Sequence, residues 1–339
     1  MAKTRVGILN VTGYAGIELA RLLAGHPGVE LVSVTGRSSA GQRIGQVFPH
    51  MANLDLTIKS ELDEVDLVFS ALPHHESADQ LIPFIEQGVS VIDVSADFRL
   101  KDPGLYDEWY GFKHPAPELL KTAVYGLPEL HRAEIRQSRV IANPGCYPTA
   151  SILALGPALK AGVVGGNVIV DAKSGVSGAG RSLKLSSHFC ESDEDVCAYA
   201  IASHRHQPEI FQELAGVSGD ITGVTFTPHL IPMTRGILAT CYAKLNNNVS
   251  ETDVTAIYHD FYRDEPFVSV VSEAPHTKHT SGTNMCLVYT KIDHRTGLLI
   301  CIAAIDNLIK GAAGQAIQNM NLMLGLPEET GLPRLAQFP

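Results

Sequence analysis

The strongest constraint on this chain is the alternation of short apolar runs with helical segments over roughly its first 150 residues, the length of an ordinary domain. Residues 5–9 read as a strand, 17–24 as an amphipathic helix stopped by His26-Pro27-Gly28, and 29–35 as a second, β-branched strand. Residues 65–71 form another apolar run, followed after Pro73 by a helix over 76–87. Runs at 89–94 and 139–142 extend the series. Strands separated by helices join by crossovers rather than hairpins, so the pattern predicts βαβ units and a parallel sheet.

The second half reads differently. Strands are predicted over 167–172, 224–227, 237–245, 268–271, 285–290 and 298–304, with the turn Asp293-His294-Arg295-Thr296-Gly297 between the last two. Long strands at hairpin spacing predict a mixed, largely antiparallel sheet in an α+β domain. A helix is predicted over 251–263, capped by Ser250 or Thr252. A last helix covers 307–324 and carries Gly311 and Gly314 on one face for close packing. The expected domains are 1–147 with 308–339, and 148–307.

Composition removes several function classes. The 339 residues carry 26 basic and 36 acidic side chains, a net charge of −10. That field opposes broad binding to nucleic acid or to an anionic membrane. Aromatics are 6% with one Trp, too few for base-stacking platforms. No apolar run reaches the length of about 18 residues that a membrane helix needs. The N-terminal residues Met-Ala-Lys-Thr-Arg run into a short apolar stretch, Val6 to Leu9, that lacks the length of a signal-peptide core. The six cysteines form no CxxC pair and are too sparse for a disulfide scaffold, which predicts reduced, mostly buried thiols in the cytoplasm.

Two places carry chemistry. The first follows the first strand: Asn10-Val11-Thr12-Gly13-Tyr14-Ala15-Gly16 opens a helix, the context of a dinucleotide-binding turn. Glycines there let backbone approach a pyrophosphate at the helix N-terminus. Asn10 stands where a glycine would complete the pattern, and Asn tolerates left-handed backbone. The bland reading is a tight turn of any α/β protein. The second strand ends in Gly36-Arg37-Ser38 with no carboxylate for a ribose hydroxyl, so NADP is favoured over NAD, with Arg37 and Ser38 on the 2′-phosphate. Otherwise Arg37 is an ordinary solvated charge.

The second place is Asn143-Pro144-Gly145-Cys146-Tyr147-Pro148-Thr149, between a strand and an apolar helix running to about Lys160. A helix N-terminus stabilises a thiolate, so Cys146 is a candidate nucleophile, against the alternative of a structural thiol. Ser203-His204-Arg205-His206-Gln207-Pro208-Glu209 offers two imidazoles and a carboxylate that could orient one of them. The alternatives are a polar surface loop or a metal site. Metal is disfavoured because no cysteine lies at ligand spacing and Cys197 reads as buried. Residues 173–181, including Ser177 and Gly178, form a Gly-Ser loop that either cradles an anion or is merely flexible. Asp97 and Arg99 lie at another strand end, where they bind ligand or pair with each other.

Together these blocks resemble the N-acetyl-gamma-glutamyl-phosphate reductase family of the aspartate-semialdehyde dehydrogenase superfamily. The resemblance rests on residues 12–16, 95–100, 125–129, 143–149, 174–181, 204–210 and 306–316, in order along nearly the whole chain. It implies a Rossmann-type domain completed by the C-terminal helix, around a central domain with a mixed sheet. It implies an NADP(H)-dependent acyl-phosphate reductase in arginine biosynthesis, with Cys146 forming a thioester and His204 or His206, with Glu209, serving acid/base chemistry. It places Thr12, Gly13, Tyr14, Ala15, Gly16, Arg37, Ser38, Ser177, Gly178 and Asn307 at the cofactor. Arg99, Asn143 and Lys184 would meet the substrate, a small anionic acyl phosphate, with no metal. A homodimer or homotetramer is implied. Two competing readings are a reductase of carrier-bound aminoadipyl phosphate in lysine biosynthesis and a non-catalytic NADP-binding regulator.

Overall fold

The computed structural model describes residues 3–338. The chain divides into two compact units. The first ends at Gly145 and is completed by Ala312–Leu332; the second runs Cys146–Gly311 and continues from Pro333. The tail after 332 groups with the second unit, whereas the sequence reading grouped it with the first. Its backbone is bonded there, with Asn284 N–H donating to Pro333 O (2.9 Å) and Gln337 N–H to Ser281 O (3.2 Å).

The first unit holds seven strands: β1 (Thr4–Leu9), β2 (Val29–Thr35), β3 (Ile58–Lys59), β4 (Leu67–Ser70), β5 (Ser90–Asp93), β6 (Val124–Tyr125) and β7 (Val140–Ala142). Their order is β3-β2-β1-β4-β5-β7-β6 and every pairing is parallel. Sheets with helices on their faces bury whole strands, and Leu67, Val68, Phe69 and Ser70 are all buried. The sequence pattern predicts one helix over 307–324, apolar at helical spacing, but the closing helix is Gly314–Met323. A π-turn over Ile309–Ala313 precedes it. The helix also carries buried amides whose side-chain nitrogens are partnered. Gln315 and Asn319 both donate to Gly126 O, at 2.9 and 2.8 Å, and Asn321 donates to Glu328 O and Thr330 O. A side chain at Gly126 would place its Cβ 2.3 Å from Asn319 Nδ2, so this approach requires glycine.

The second unit holds β8 (Val164–Gly175), β9 (Cys197–Ala198), β10 (Ile221–Ile231), β11 (Ile237–Leu245), β12 (Val268–Val270), β13 (Cys286–Asp293) and β14 (Leu298–Ile305). Their order is β12-β13-β14-β11-β8-β10-β9. The sheet is mixed: β8–β10 and β12–β13 are parallel, the other pairings antiparallel. Ser250, not Thr252, caps the helix Glu251–Phe261. Its hydroxyl accepts the Asp253 N–H at 3.1 Å while Asp253 accepts the Ser250 N–H in return. Cys241, Cys286 and Cys301 are buried as expected, but Cys190 and Cys197 are exposed. Cys197 lies on the two-residue edge strand β9, which only β10 covers. Among the described residues no helix is long and apolar enough to cross a membrane.

Candidate active site

At the end of β1 the backbone of Asn10 is left-handed, φ 62°, as its position in the turn demands. Asn10 then ties the turn down, its amide donating to Ala71 O at the end of β4 (2.8 Å) and its N–H to Thr35 Oγ1 at the end of β2 (3.1 Å). A Cβ at Gly16 would fall 2.3 Å from Asn10 O, so only glycine lets the helix Tyr14–Ala24 start this close to the strand. Gly13 at the N-cap offers no side chain to the first-turn N–H groups, so a helix N-terminus here can meet an anion. Thr12, Gly13 and Ala15 are half-buried and Tyr14 is exposed. Arg37 and Ser38 lie exposed just beyond β2, and the Arg37 guanidinium ion-pairs with Glu76.

Arg99 and Asn143 come together but are buried. Arg99 donates to Asn143 O and Val94 O, both at 2.8 Å. The Asn143 amide donates to Ala312 O and accepts from Asn319. Asp97 accepts the N–H groups of His75 and Ala78, so it holds the start of the helix Ser77–Glu86. Burial raises its pKa, as it does that of its neighbour Asp93.

In the second unit Cys146 is half-buried and is the first residue of the helix Cys146–Lys160. The π-turn runs past it: Gly311 N–H donates to Asp306 O (3.0 Å), and a Cβ on Gly311 would lie 2.7 Å from that of Cys146. π-turns inside helices often mark functional sites, and here the irregular turn brings backbone against the thiol-bearing carbon.

Beside the cysteine stands an aromatic cluster. The Tyr147 ring lies 5.8 Å from His204, 5.9 Å from His206 and 5.2 Å from Phe226. The two imidazoles are 4.8 Å apart. Tyr199 donates to the Tyr147 hydroxyl (3.2 Å), which donates to His229 O (3.2 Å). Burial raises both phenols, Tyr199 to about 12, and the nearby Cys146 adds to each shift. His206 opens the helix His206–Val217, and Glu209 is wholly buried on its first turn. The two histidines differ. His204 Nδ1 accepts the His206 N–H at 3.1 Å, so the proton of its neutral ring sits on Nε2. Burial, with Arg205 adjacent, lowers its pKa to about 4, which keeps the ring neutral.

Ser177 and Asn307, 130 positions apart, meet through Asn307 Nδ2 and Ser177 Oγ (2.9 Å), while Asn307 Oδ1 accepts the Gly236 N–H (2.8 Å). Gly178 is exposed at the same turn. Lys184 stands apart on an exposed segment. Sequence reasoning missed Tyr199 and Gly236, and read Gly311 as a close-packing position without naming Cys146 as its neighbour. Tyr147 was visible only as the neighbour of Cys146. Among the described residues no group of three His, Cys, Asp or Glu side chains is placed to hold a metal ion.

Comparison with known proteins completes this geometry. The semialdehyde dehydrogenase NAD binding domain matches residues 5–138, and the semialdehyde dehydrogenase dimerisation domain matches 146–307. The N-acetyl-gamma-glutamyl-phosphate reductase of Dehalococcoides mccartyi is 58% identical over 341 residues, covering all of both chains. The chain belongs to the N-acetyl-gamma-glutamyl-phosphate reductase family. The reductase of Pelotomaculum thermopropionicum is 48% identical over 99% of each chain. Among solved structures, an aspartate semialdehyde dehydrogenase II complexed with ASA from Vibrio cholerae superposes with a TM-score of 0.74 at 18% identity, over 96% of this chain and 99% of that one. One with NADP from Candida albicans gives 0.69 at 15%, over 95% and 99%. These two likenesses concern the fold.

Proposed function

We propose that this chain reduces N-acetyl-gamma-glutamyl phosphate to N-acetylglutamate 5-semialdehyde and phosphate with NADPH, in arginine biosynthesis. The observation that carries the reading is Cys146 at a helix N-terminus beside Tyr147 and the His204–His206 pair, in a chain 58% identical to a reductase of that name. The Cys146 thiolate attacks the acyl carbon, the carbon–oxygen bond to phosphate breaks, and phosphate leaves with its electron pair. A thioester remains on Cys146. NADPH, when bound, supplies the hydride that reduces this thioester. Collapse of the resulting tetrahedral oxyanion then breaks the carbon–sulfur bond, and the thiolate is regenerated as the aldehyde leaves.

His206 is the proton carrier in this reading. A ring held neutral, as His204 is, cannot stabilise a thiolate as imidazolium. His204 instead receives the His206 N–H and fixes the start of that helix. Glu209, one turn on, orients the imidazole of His206. Asn307 and Ser177 position the nicotinamide end, with Gly178 leaving backbone accessible. The turn at Asn10–Gly16 fits a pyrophosphate, because the cradle is one that a Cβ would fill. Arg37 and Ser38 hold the 2′-phosphate once Arg37 releases Glu76. Arg99 fixes the backbone of Asn143, three residues before Cys146 in the chain, while Lys184 attracts the anionic substrate. The protein works as a homodimer or homotetramer. Six free thiols, two of them exposed, suit a reducing cytoplasm.

The deciding assay is phosphate-dependent NADP reduction by N-acetylglutamate 5-semialdehyde, run beside aspartate semialdehyde. Turnover restricted to the acetylated substrate is the expected result. Preference for aspartate semialdehyde, or a requirement for carrier-bound substrate, would sink the assignment.

A further inference from the structure

Between Gly180 and Ser203 the chain leaves the second unit as an arm with no core of its own. Leu183, Leu185, Phe189, Val196 and Ile201 are 91, 69, 75, 62 and 64% exposed. Five large apolar side chains on one short segment exceed the scatter of single apolar residues expected on a surface. The arm contains only a 3₁₀ turn (Leu185–Ser187), a single helical turn (Phe189–Ser192) and β9, which pairs with β10 through Cys197–Leu230 and Ala198–His229. It is also strained. Of the five described non-glycine residues with left-handed backbone, three lie here: Glu194, Ala200 and Ala202, at φ 57, 44 and 55°. Such conformations persist only where surroundings over-determine them, and the strand pairing described for the arm is the two-residue ladder of β9 with β10. Yet this arm delivers Tyr199 to the cysteine site, with its N–H on Pro228 O (3.1 Å), its hydroxyl on Tyr147 and its ring 5.5 Å from His204.

We infer that a second copy of this chain covers the exposed apolar residues of the arm, and that this contact holds Tyr199 in place, so that the cysteine site is complete only in the assembled protein. The occupant is a second copy because the arm lies within residues 146–307, the part that matches a dimerisation domain. Tyr199 is a positioning residue: it acts through Tyr147 on the surroundings of Cys146 and His204. The inference rests on the reading of Cys146 as nucleophile but not on the identity of the substrate.

The test uses the full chain, with Leu185→Glu/Phe189→Glu as one variant and Tyr199→Phe as another. Both Leu185 and Phe189 are exposed in the protomer, so the double variant retains its fold, monitored by circular dichroism. Sedimentation velocity at micromolar concentration is expected to give an assembled wild type and a monomeric double variant. In the monomer, turnover and the rate of Cys146 alkylation by iodoacetamide fall together. Tyr199→Phe stays assembled and loses about fivefold to tenfold in kcat with KM little changed, the scale of one hydrogen bond. A monomeric wild type, or a double variant that still assembles, overturns the surface. A monomer with wild-type alkylation and turnover, or Tyr199→Phe with wild-type kcat, overturns the coupling. Sedimentation and alkylation need no substrate, so they stand even where the assay for the acetylated substrate fails.

Discussion

The cofactor turn and the cysteine site are built in opposite ways. At the turn, Asn10, Gly13 and Gly16 lie within seven residues, and their backbone conformation is the device itself. At the cysteine, Cys146, Tyr199, His204, His206 and Gly311 span 166 positions, and only Gly311, in its π-turn, has an unusual backbone among them. A local device fails when one backbone position is changed. An assembled device can lose one member and keep its shape while losing a function.

Substitutions separate the two. The largest effect is expected for Cys146→Ser, with turnover down on the order of 10⁴-fold and NADPH affinity, measured by fluorescence titration, unchanged. Surviving turnover would remove the nucleophile from the scheme. His206→Asn should cost roughly 10²- to 10³-fold in kcat and abolish the basic limb of the pH–rate profile, where an imidazolium gives up its proton. Retention of that limb would pass the role to another group. At the cofactor turn, Arg37→Ala is expected to raise KM for NADPH about tenfold, the scale of a charge-assisted contact, and to leave KM for NADH alone. Equal effects on both would make Arg37 a plain partner of Glu76.

The smallest effect belongs to His204. Its pKa is near 6.5 unfolded and about 4 folded, so between those values the unfolded chain binds more protons. Stability is therefore full above pH 6.5 and falls as pH drops toward 4, by about 1 to 2 kcal/mol after allowing for relaxation and water access. His204→Asn should flatten that slope in urea titrations at pH 5 relative to pH 7 while keeping the basic limb of the rate profile. An unchanged slope would mean that His204 is not held neutral by burial.

Much of this was legible in the sequence because it is local. β2 and β11 fall on the predicted residues, and the Asn10–Gly16 turn has the expected left-handed start. Period and turn chemistry suffice for such elements. What escaped is long-range or irregular. The π-turn at Ile309–Ala313 has no signature within an apolar helical pattern. Cys197 reads as a buried thiol in the sequence, yet its strand pairs with β10 at the edge of the sheet and leaves it exposed. Tyr199 meets Tyr147 across 52 positions, a distance over which periodicity carries no information.

The buried amides of the helix Gly314–Met323 have a consequence for synthesis. Gly126 O waits for Gln315 and Asn319, which are made nearly two hundred residues later. On the ribosome the nucleotide unit is thus begun before the second unit and closed only after Cys146–Gly311 is made, whereas the second unit needs, beyond that contiguous stretch, only the short tail from Pro333. The middle of this protein is free to mature before its beginning.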